Sequence, residues 1–162
     1  YGTTAQGDIC VLDDLTQQKD LVCVVNEKKT VDSSSSPVQI ENFIENVAGT
    51  DKVGFNFEVV QRGSGRVSKI DSACDDEEIN KDKVFVQVDT ELPGLTCSGI
   101  TDGNATSGYT KLFGGKRLIR CTQDTSLPEV SGKDFEKKVT INAKFDYKEH
   151  KEIGILVKHA TG

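Results

Sequence analysis

The feature that most constrains the fold is the strict alternation of apolar and polar residues across residues 137–158. From 139 to 147, every second residue is apolar and the residues between are polar. A period of two places these rows on opposite faces of a β-strand. Charged residues 148–152 interrupt the pattern, which restarts at 153–157, so the stretch predicts an antiparallel hairpin. Because a hairpin cannot bury its apolar face alone, a second sheet must pack against it.

Short strand-like stretches recur through the rest of the chain, separated by glycine-rich or charged turns. They span residues 38–47, 53–60, 67–70, 83–90, 95–98, 109–113 and 116–123. Gly114-Gly115 predicts a two-residue hairpin turn, since such a turn needs the positive φ angles that glycine tolerates. About eight short strands with such turns are typical of a β-sandwich. We therefore predict an all-β, immunoglobulin-like antiparallel sandwich, with a closed barrel as the alternative.

The first 36 residues differ in composition from the rest of the chain. They open with a polar, turn-like stretch and end in a serine tract at 32–37, a composition typical of flexible chain. We predict an N-terminal β-strand arm at 1–36 and a sandwich body at 37–162. The arm contains a continuous apolar run, which is typical of a strand covered on both faces. The run is the candidate for a strand exchanged between subunits, and its residues are Leu21, Val22, Cys23, Val24 and Val25.

Charge and hydropathy exclude two classes of partner. The 162-residue chain has 26 acidic and 20 basic residues, a net charge of −6, which disfavours the phosphate contacts that nucleic-acid binding needs. No apolar run reaches the length of about 18 residues that a membrane span requires. The chain starts at Tyr1 without Met or an apolar signal core, so we expect a mature, processed protein.

The five cysteines lack the spacing of a zinc or haem site, which favours disulfides and an oxidising compartment. Buried free thiols in a cytosolic protein are the alternative. Cys97 and Cys121 flank a predicted strand pair and are the first pairing. Cys10 with Cys23 would close a small N-terminal loop and leave Cys74 free or bonded to another chain. Pairing of Cys74 with an N-terminal cysteine stays open.

The remaining motifs carry no recognisable chemistry. Asn104-Ala105-Thr106 is a sequon, so Asn104 is a glycosylation candidate if the chain is secreted. The acidic stretch 71–78 predicts a solvated loop, with a calcium site as the alternative, although no EF-hand spacing is present. His150 and His159 are the only histidines, and both lie in polar surroundings. No nucleophile elbow or phosphate loop occurs. We therefore predict no catalytic residue, cofactor or metal.

Two stretches of the body carry a resemblance to a known family. They read VQIENFIENVAGTDKVGFNFEVVQRGSGRV at 38–67 and KKVTINAKFDYKEHKEIGILVKH at 137–159. Both resemble immunoglobulin-like modules of the CARDB type. These modules occur in secreted and cell-surface proteins of archaea and some bacteria. The resemblance implies an extracellular scaffold or adhesion role without catalysis. The arm and the five cysteines depart from the usual module.

Three functions are hypotheses for this chain. The first is a structural subunit of a surface filament, pilus or coat, assembled with copies of itself or other surface proteins through the N-terminal strand. The arm folding back on its own body is the alternative. The second is an adhesion module that binds a glycan or protein through loops 99–108 and 124–132, with Tyr109 as an aromatic platform. The third, an enzyme or enzyme inhibitor, has the least support.

Overall fold

The structure, a computed structural model, describes residues 1–16 and 23–149. Its strands and single helical turn follow one another in chain order. They are β1 (Gly2–Val11), β2 (Glu27–Lys28), β3 (Val31–Ser33), β4 (Val38–Val47), β5 (Lys52–Gln61), β6 (Arg66–Ser68), a 3-10 turn (Glu78–Asn80), β7 (Lys83–Asp89), β8 (Leu95–Ser98), β9 (Ser107–Lys111), β10 (Lys116–Asp124), β11 (Phe135–Lys144) and β12 (Asp146–Lys148).

Two five-stranded antiparallel sheets form a sandwich, which confirms the predicted fold class. The first sheet has the order β3-β1-β11-β7-β9 and the second has the order β2-β4-β5-β10-β8. β12 pairs with β6 in a separate two-stranded ribbon. The immunoglobulin-like assignment within this class stays a prediction.

The core lies between the inner faces of the two sheets. Alternate residues of each long strand point inward, as the period of two requires. Phe43 of β4 and Phe55 of β5 stack with ring centroids 5.3 Å apart, and Phe57 is fully buried beside them. Ile141 of β11 and Ile119 of β10 are likewise fully buried, one from each sheet. Burial of each such side chain contributes about 1.5–3 kcal/mol.

Several predicted elements are confirmed. β4 has the predicted bounds, and β5, β7, β8 and β10 lie within a residue or two of theirs. Gly114 and Gly115 both have positive φ, 60° and 83°, as the predicted tight turn requires. The predicted hairpin is wrong, because β9 and β10 belong to different sheets and only the bridge Phe113–Lys116 pairs across the turn. β11 occupies the first strand of the predicted C-terminal hairpin. It ends at Lys144, where its ladders with β1 and β7 also end, and the residues Asp146–Lys148 pair with β6 instead. The second predicted hairpin strand lies outside the described residues.

The N-terminal segment differs most from its prediction. The opening stretch is not a turn: Gly2–Val11 is a ten-residue strand, β1, which pairs with β11 along its whole length. Its inward row contains Thr3, Ala5 and Gly7, whose small side chains give little hydrophobic signal in the sequence. Pairing with a long apolar neighbour therefore decides its conformation. Residues 2–11 are an integral part of the first sheet.

The predicted strand at Leu21–Val25 is wrong where the structure describes it. Leu21 and Val22 lie outside the described residues, whereas Cys23 and Val25 form bends, and neither they nor Val24 belong to a strand. The disulfide to Cys10 holds Cys23 beside β1, while Val25 is fully buried and Val24 is exposed. The disulfide and the buried Val25 side chain, rather than a ladder of backbone hydrogen bonds, hold Cys23, Val24 and Val25 in place.

Candidate functional site

One lateral edge of the sandwich is built by the start of the chain. We call described residues 1–16 and 23–33 the N-terminal segment. Its β1 and β3 form the edge of the first sheet, and its β2 forms the edge of the second. It then leaves this edge through residues 34–37, which contain no strand, and enters β4 at Val38. Removal of the segment would therefore expose β11 in one sheet and β4 in the other.

Backbone pairing and apolar burial dock β1 on the body. Ten consecutive residues of β1 have partners in β11. Ala5 and Ile9 are fully buried in the main core, and Val11 is nearly so. The Thr3 hydroxyl donates a hydrogen bond of 2.6 Å to the Val38 carbonyl, so this buried polar group is satisfied at the start of β4.

A buried carboxylate completes the docking where the strand pairing ends. β3 pairs with β1 only from Ala5 to Gly7, so the outer edge of β1 has no strand partner at Cys10. The Cys10 backbone N–H instead donates to the Glu45 carboxylate, at 2.8 Å to Oε1 and 3.0 Å to Oε2. Glu45 thus supplies the acceptor that a buried N–H requires. It belongs to β4, so this contact joins the segment to the opposite sheet.

Lys29 is the cation that faces Glu45. Its Nζ lies 3.3 Å from Glu45 Oε1 and 3.0 Å from Glu27 Oε1, and it also donates to the Val24 carbonyl. Burial raises the pKa of Glu45 from 4.5 to about 8, because the Cys10 N–H and Lys29 only partly offset the lost hydration. The carboxyl therefore titrates close to neutral pH, at the contact between segment and body.

Sequence reasoning missed Glu45, although the sequence contains a signal. Glu45 alternates with Phe43 and Val47, so the period of two places an acid on the inward row of β4. A bulge after Glu41, with Asn42 at φ 54°, shifts the register and obscures this pattern. An acid in an otherwise apolar row is the sign of a buried, partnered carboxylate.

The structure contains two disulfides, Cys10–Cys23 and Cys97–Cys121, and Cys74 is free. The first lies wholly inside the N-terminal segment. It packs in a small second core with Leu12, Leu15 and Val25, among others. The second joins directly opposed residues of β8 and β10 inside the body. The only covalent connection between the segment and the body in the described structure is therefore the backbone itself.

Asn104, the glycosylation candidate, is exposed in the loop between β8 and β9. Its side-chain oxygen accepts hydrogen bonds of 2.9 Å from the backbone N–H groups of Thr106 and Ser107. The second predicted binding loop packs against the N-terminal segment, where the Gly132 N–H donates to Asp13 at 2.8 Å. Whether either loop binds a ligand stays a prediction.

The acidic stretch is a folded loop with partners of its own. Arg66 pairs with Asp76 at 2.9 Å, and Asp75 accepts from the Asn80 amide at 3.1 Å. Within the described residues, no group of three or more His, Cys, Asp or Glu side chains is arranged to hold a metal ion. His150 and His159 lie outside those residues.

Comparison with known proteins gives no relative: no family model, no curated protein and no solved structure matches this chain. The resemblance to CARDB-type modules accordingly stays a prediction. Across residues 1–16 and 23–149, no helix is long and apolar enough to cross a membrane.

Proposed function

We propose that this protein is a non-enzymatic structural module of the cell exterior, which joins neighbouring copies in a filament or coat by exchanging its N-terminal segment. One observation carries the proposal. The segment builds a complete lateral edge of the sandwich, yet neither disulfide connects it to the body.

The connection between segment and body suits a hinge. Residues 34–37 lie between β3 and β4, outside any strand, and contain three serines and a proline. A different path for these four residues would let the segment leave its own body and occupy the same position on a neighbour. The pairing with β11 and the contact with Glu45 would then form between two chains instead of within one. If each copy donates to the next without closing a ring, a filament results.

An oxidising location supports the same proposal. Two disulfides in a small all-β domain are typical of proteins that fold outside the cytosol. Asn104 is exposed, as a glycan acceptor must be. On this proposal the partner is a second copy of the chain or another surface protein.

A second candidate function is adhesion or ligand binding through the loop at 99–108 and its neighbours. Phe113 favours it, because this side chain is 60% exposed at the turn after β9. A large exposed aromatic next to polar loops is a common feature of binding surfaces.

An engineered disulfide tests segment exchange. Thr4 of β1 and Asn142 of β11 are directly opposed, and their side chains contact each other at 3.0 Å. Opposed residues of antiparallel strands lie within the reach of a disulfide. In a Cys74→Ser background, we expect Thr4→Cys with Asn142→Cys to give covalent dimers and longer species on a non-reducing gel.

The corresponding single-cysteine variants measure random surface cross-linking. Quantitative formation of an intrachain bond, with only monomers on the gel at all protein concentrations, would contradict exchange. It would show that each segment docks on its own body.

A further inference from the structure

Four cations lie around β9 without an ion-pair partner among the described residues. Lys83 and Lys111 stand directly opposite each other across β7 and β9. Like charges in this position destabilise a sheet unless something neutralises them. Lys69 lies over the Tyr109 ring, 4.9 Å from its centroid, and Arg117 lies nearby on β10.

The acids around these cations do not neutralise them. Among the described residues, no acidic side chain comes within 4.0 Å of a charged nitrogen of Lys69, Lys83, Lys111 or Arg117. Asp82 directly precedes Lys83 in the sequence, and Asp102 lies in the loop before β9. Neither forms an ion pair within the described residues. In a chain of net charge −6, this is a local concentration of unpaired positive charge.

Aromatic rings lie among the cations. Phe113 is 60% exposed, and the Arg117 guanidinium lies 5.4 Å from its centroid. Tyr109 is half-buried and meets Phe85 edge to face, with centroids 5.2 Å apart. Tyr109, Lys111 and Phe113 alternate along β9 and its turn, so they share one face. Flat apolar surfaces and positive charges therefore occur side by side.

A cleft of about 320 Å³ lies beside these residues, between β9 and the segment 99–101. Two backbone hydrogen bonds between Thr101 and Tyr109, of 2.7 and 2.8 Å, fix its wall. Gly108 permits this close approach, since a Cβ there would lie 2.6 Å from the Thr101 carbonyl oxygen. The Thr110 hydroxyl lines the cleft region, buried and without a hydrogen-bond partner in the described structure. None of the described residues that line the cleft is acidic.

From this arrangement we infer that the cleft beside β9 binds a short anionic saccharide, with the sugar ring against Phe113 and Tyr109 and its acidic group between Lys111 and Arg117. The apolar C–H face of a sugar ring complements an exposed aromatic ring. A carboxylate or sulfate complements unpaired Lys and Arg side chains. The cleft volume is at the lower end of ligand pockets, which suits a short saccharide better than a protein surface.

This inference deepens the second candidate function and is independent of segment exchange. It is tested with the intact chain by titrating trigalacturonate while recording amide NMR spectra, with maltotriose as a neutral saccharide and sodium sulfate as a simple anion. We expect saturable shifts confined to residues 99–117 with trigalacturonate alone, weakened by added salt.

Substitutions localise the site. Phe113→Ala and Lys111→Gln alter exposed or half-exposed side chains, so the fold should persist, and each should weaken trigalacturonate binding roughly tenfold. Lys138→Gln, an equal charge change on the exposed face of β11, is the matched control and should leave the affinity unchanged.

Three results would overturn the inference. If maltotriose bound as tightly as trigalacturonate, charge would play no part in recognition. If sulfate bound as tightly as trigalacturonate, the cleft would be a simple anion site. The absence of saturable shifts with trigalacturonate, or an equal loss of affinity in Lys138→Gln, would show that the cleft is not the site. None of these results depends on whether the segment exchanges.

Discussion

The N-terminal segment and the central β5–β10 pair both bury apolar side chains, but they are attached to the molecule in different ways. β5 and β10 contribute Phe57 and Ile119 to the middle of the second sheet, with strands on either side. β1 reaches the same core through Ile9, but part of its outer edge depends on the buried Glu45 carboxylate. We therefore expect the docking of the segment to respond to pH, whereas the central pair depends on apolar packing and on its own disulfide, Cys97–Cys121.

The largest expected effect comes from Glu45. Its pKa is raised from 4.5 to about 8 in the folded protein, so folding favours the protonated carboxyl. The contribution of Glu45 to stability is therefore fully present below about pH 4.5, falls as the pH rises toward 8 and is lost above it. The slope reaches about 1.4 kcal/mol per pH unit, which amounts to several kcal/mol over the interval. Urea unfolding at a series of pH values measures it.

Glu45→Gln is the matched variant, since its amide oxygen can still accept the Cys10 N–H. We expect its unfolding free energy to vary much less between pH 5 and 8, so that it becomes the more stable protein at pH 8. If the unfolding free energies of the two proteins changed equally with pH, ionisation of Glu45 would not be the cause of the pH dependence.

The next largest effects are expected from two isoleucine truncations, one in the N-terminal segment and one in the central strand pair. Ile9→Ala and Ile119→Ala each create a cavity at a fully buried position, and each should cost about 2–5 kcal/mol locally. We expect Ile119→Ala to lower the protection of amides throughout both sheets. Ile9→Ala should mainly lower that of β1, β2 and β3. Identical hydrogen-exchange patterns for the two variants would show that the segment and body unfold as one unit.

The two disulfides give a smaller contrast of the same kind. They close loops with sequence separations of 13 and 24, and loss of either should cost about 2–4 kcal/mol. We expect Cys10→Ser with Cys23→Ser to loosen the segment and increase oligomer formation. Cys97→Ser with Cys121→Ser should lower the melting temperature without promoting assembly. Light scattering coupled to gel filtration distinguishes the outcomes, and equal oligomer content would argue against a separable segment.

Side-chain pairs across neighbouring strands should give the smallest losses of stability. Thr4→Ala removes a hydrogen bond with Asn142 between β1 and β11, and Thr122→Ala disrupts a threonine pair between β10 and β8. Each should cost only about 0.2–1 kcal/mol. Thermal unfolding should therefore show nearly equal, small shifts. A large loss of stability for Thr4→Ala alone would show that this one contact supplies most of the free energy that docks the segment.

The sequence predicted the body of the sandwich well because its strands alternate strongly. β5 has large apolar residues at every second position from Val53 to Val59, and the glycine turn before β10 has a specific conformational requirement. β1 was missed because its inward row begins with Thr3, Ala5 and Gly7, which gain their place from pairing with β11. The apolar run at residues 21–25 predicted the strand of this segment instead.

The candidate site was harder to predict, since it depends on contacts distant in sequence. Glu45 meets Cys10 across 35 positions, and the bulge after Glu41 obscures its local signal, the place of an acid on the inward row of β4. The cations beside β9 come from β7, β9, β10 and the turn after β6, so no linear motif joins them. By contrast, both cysteine pairs could be proposed because each is close in sequence or flanks neighbouring strands.

The central claim is that the N-terminal segment is a separately docked part of the sandwich, and native-state hydrogen exchange tests it most directly. With chemical exchange rates corrected for pH, β1 amides should open at a lower free energy than β5 and β10 amides, and the difference should widen from pH 5 to pH 8. Equal opening free energies for all three strands at both pH values would contradict the claim.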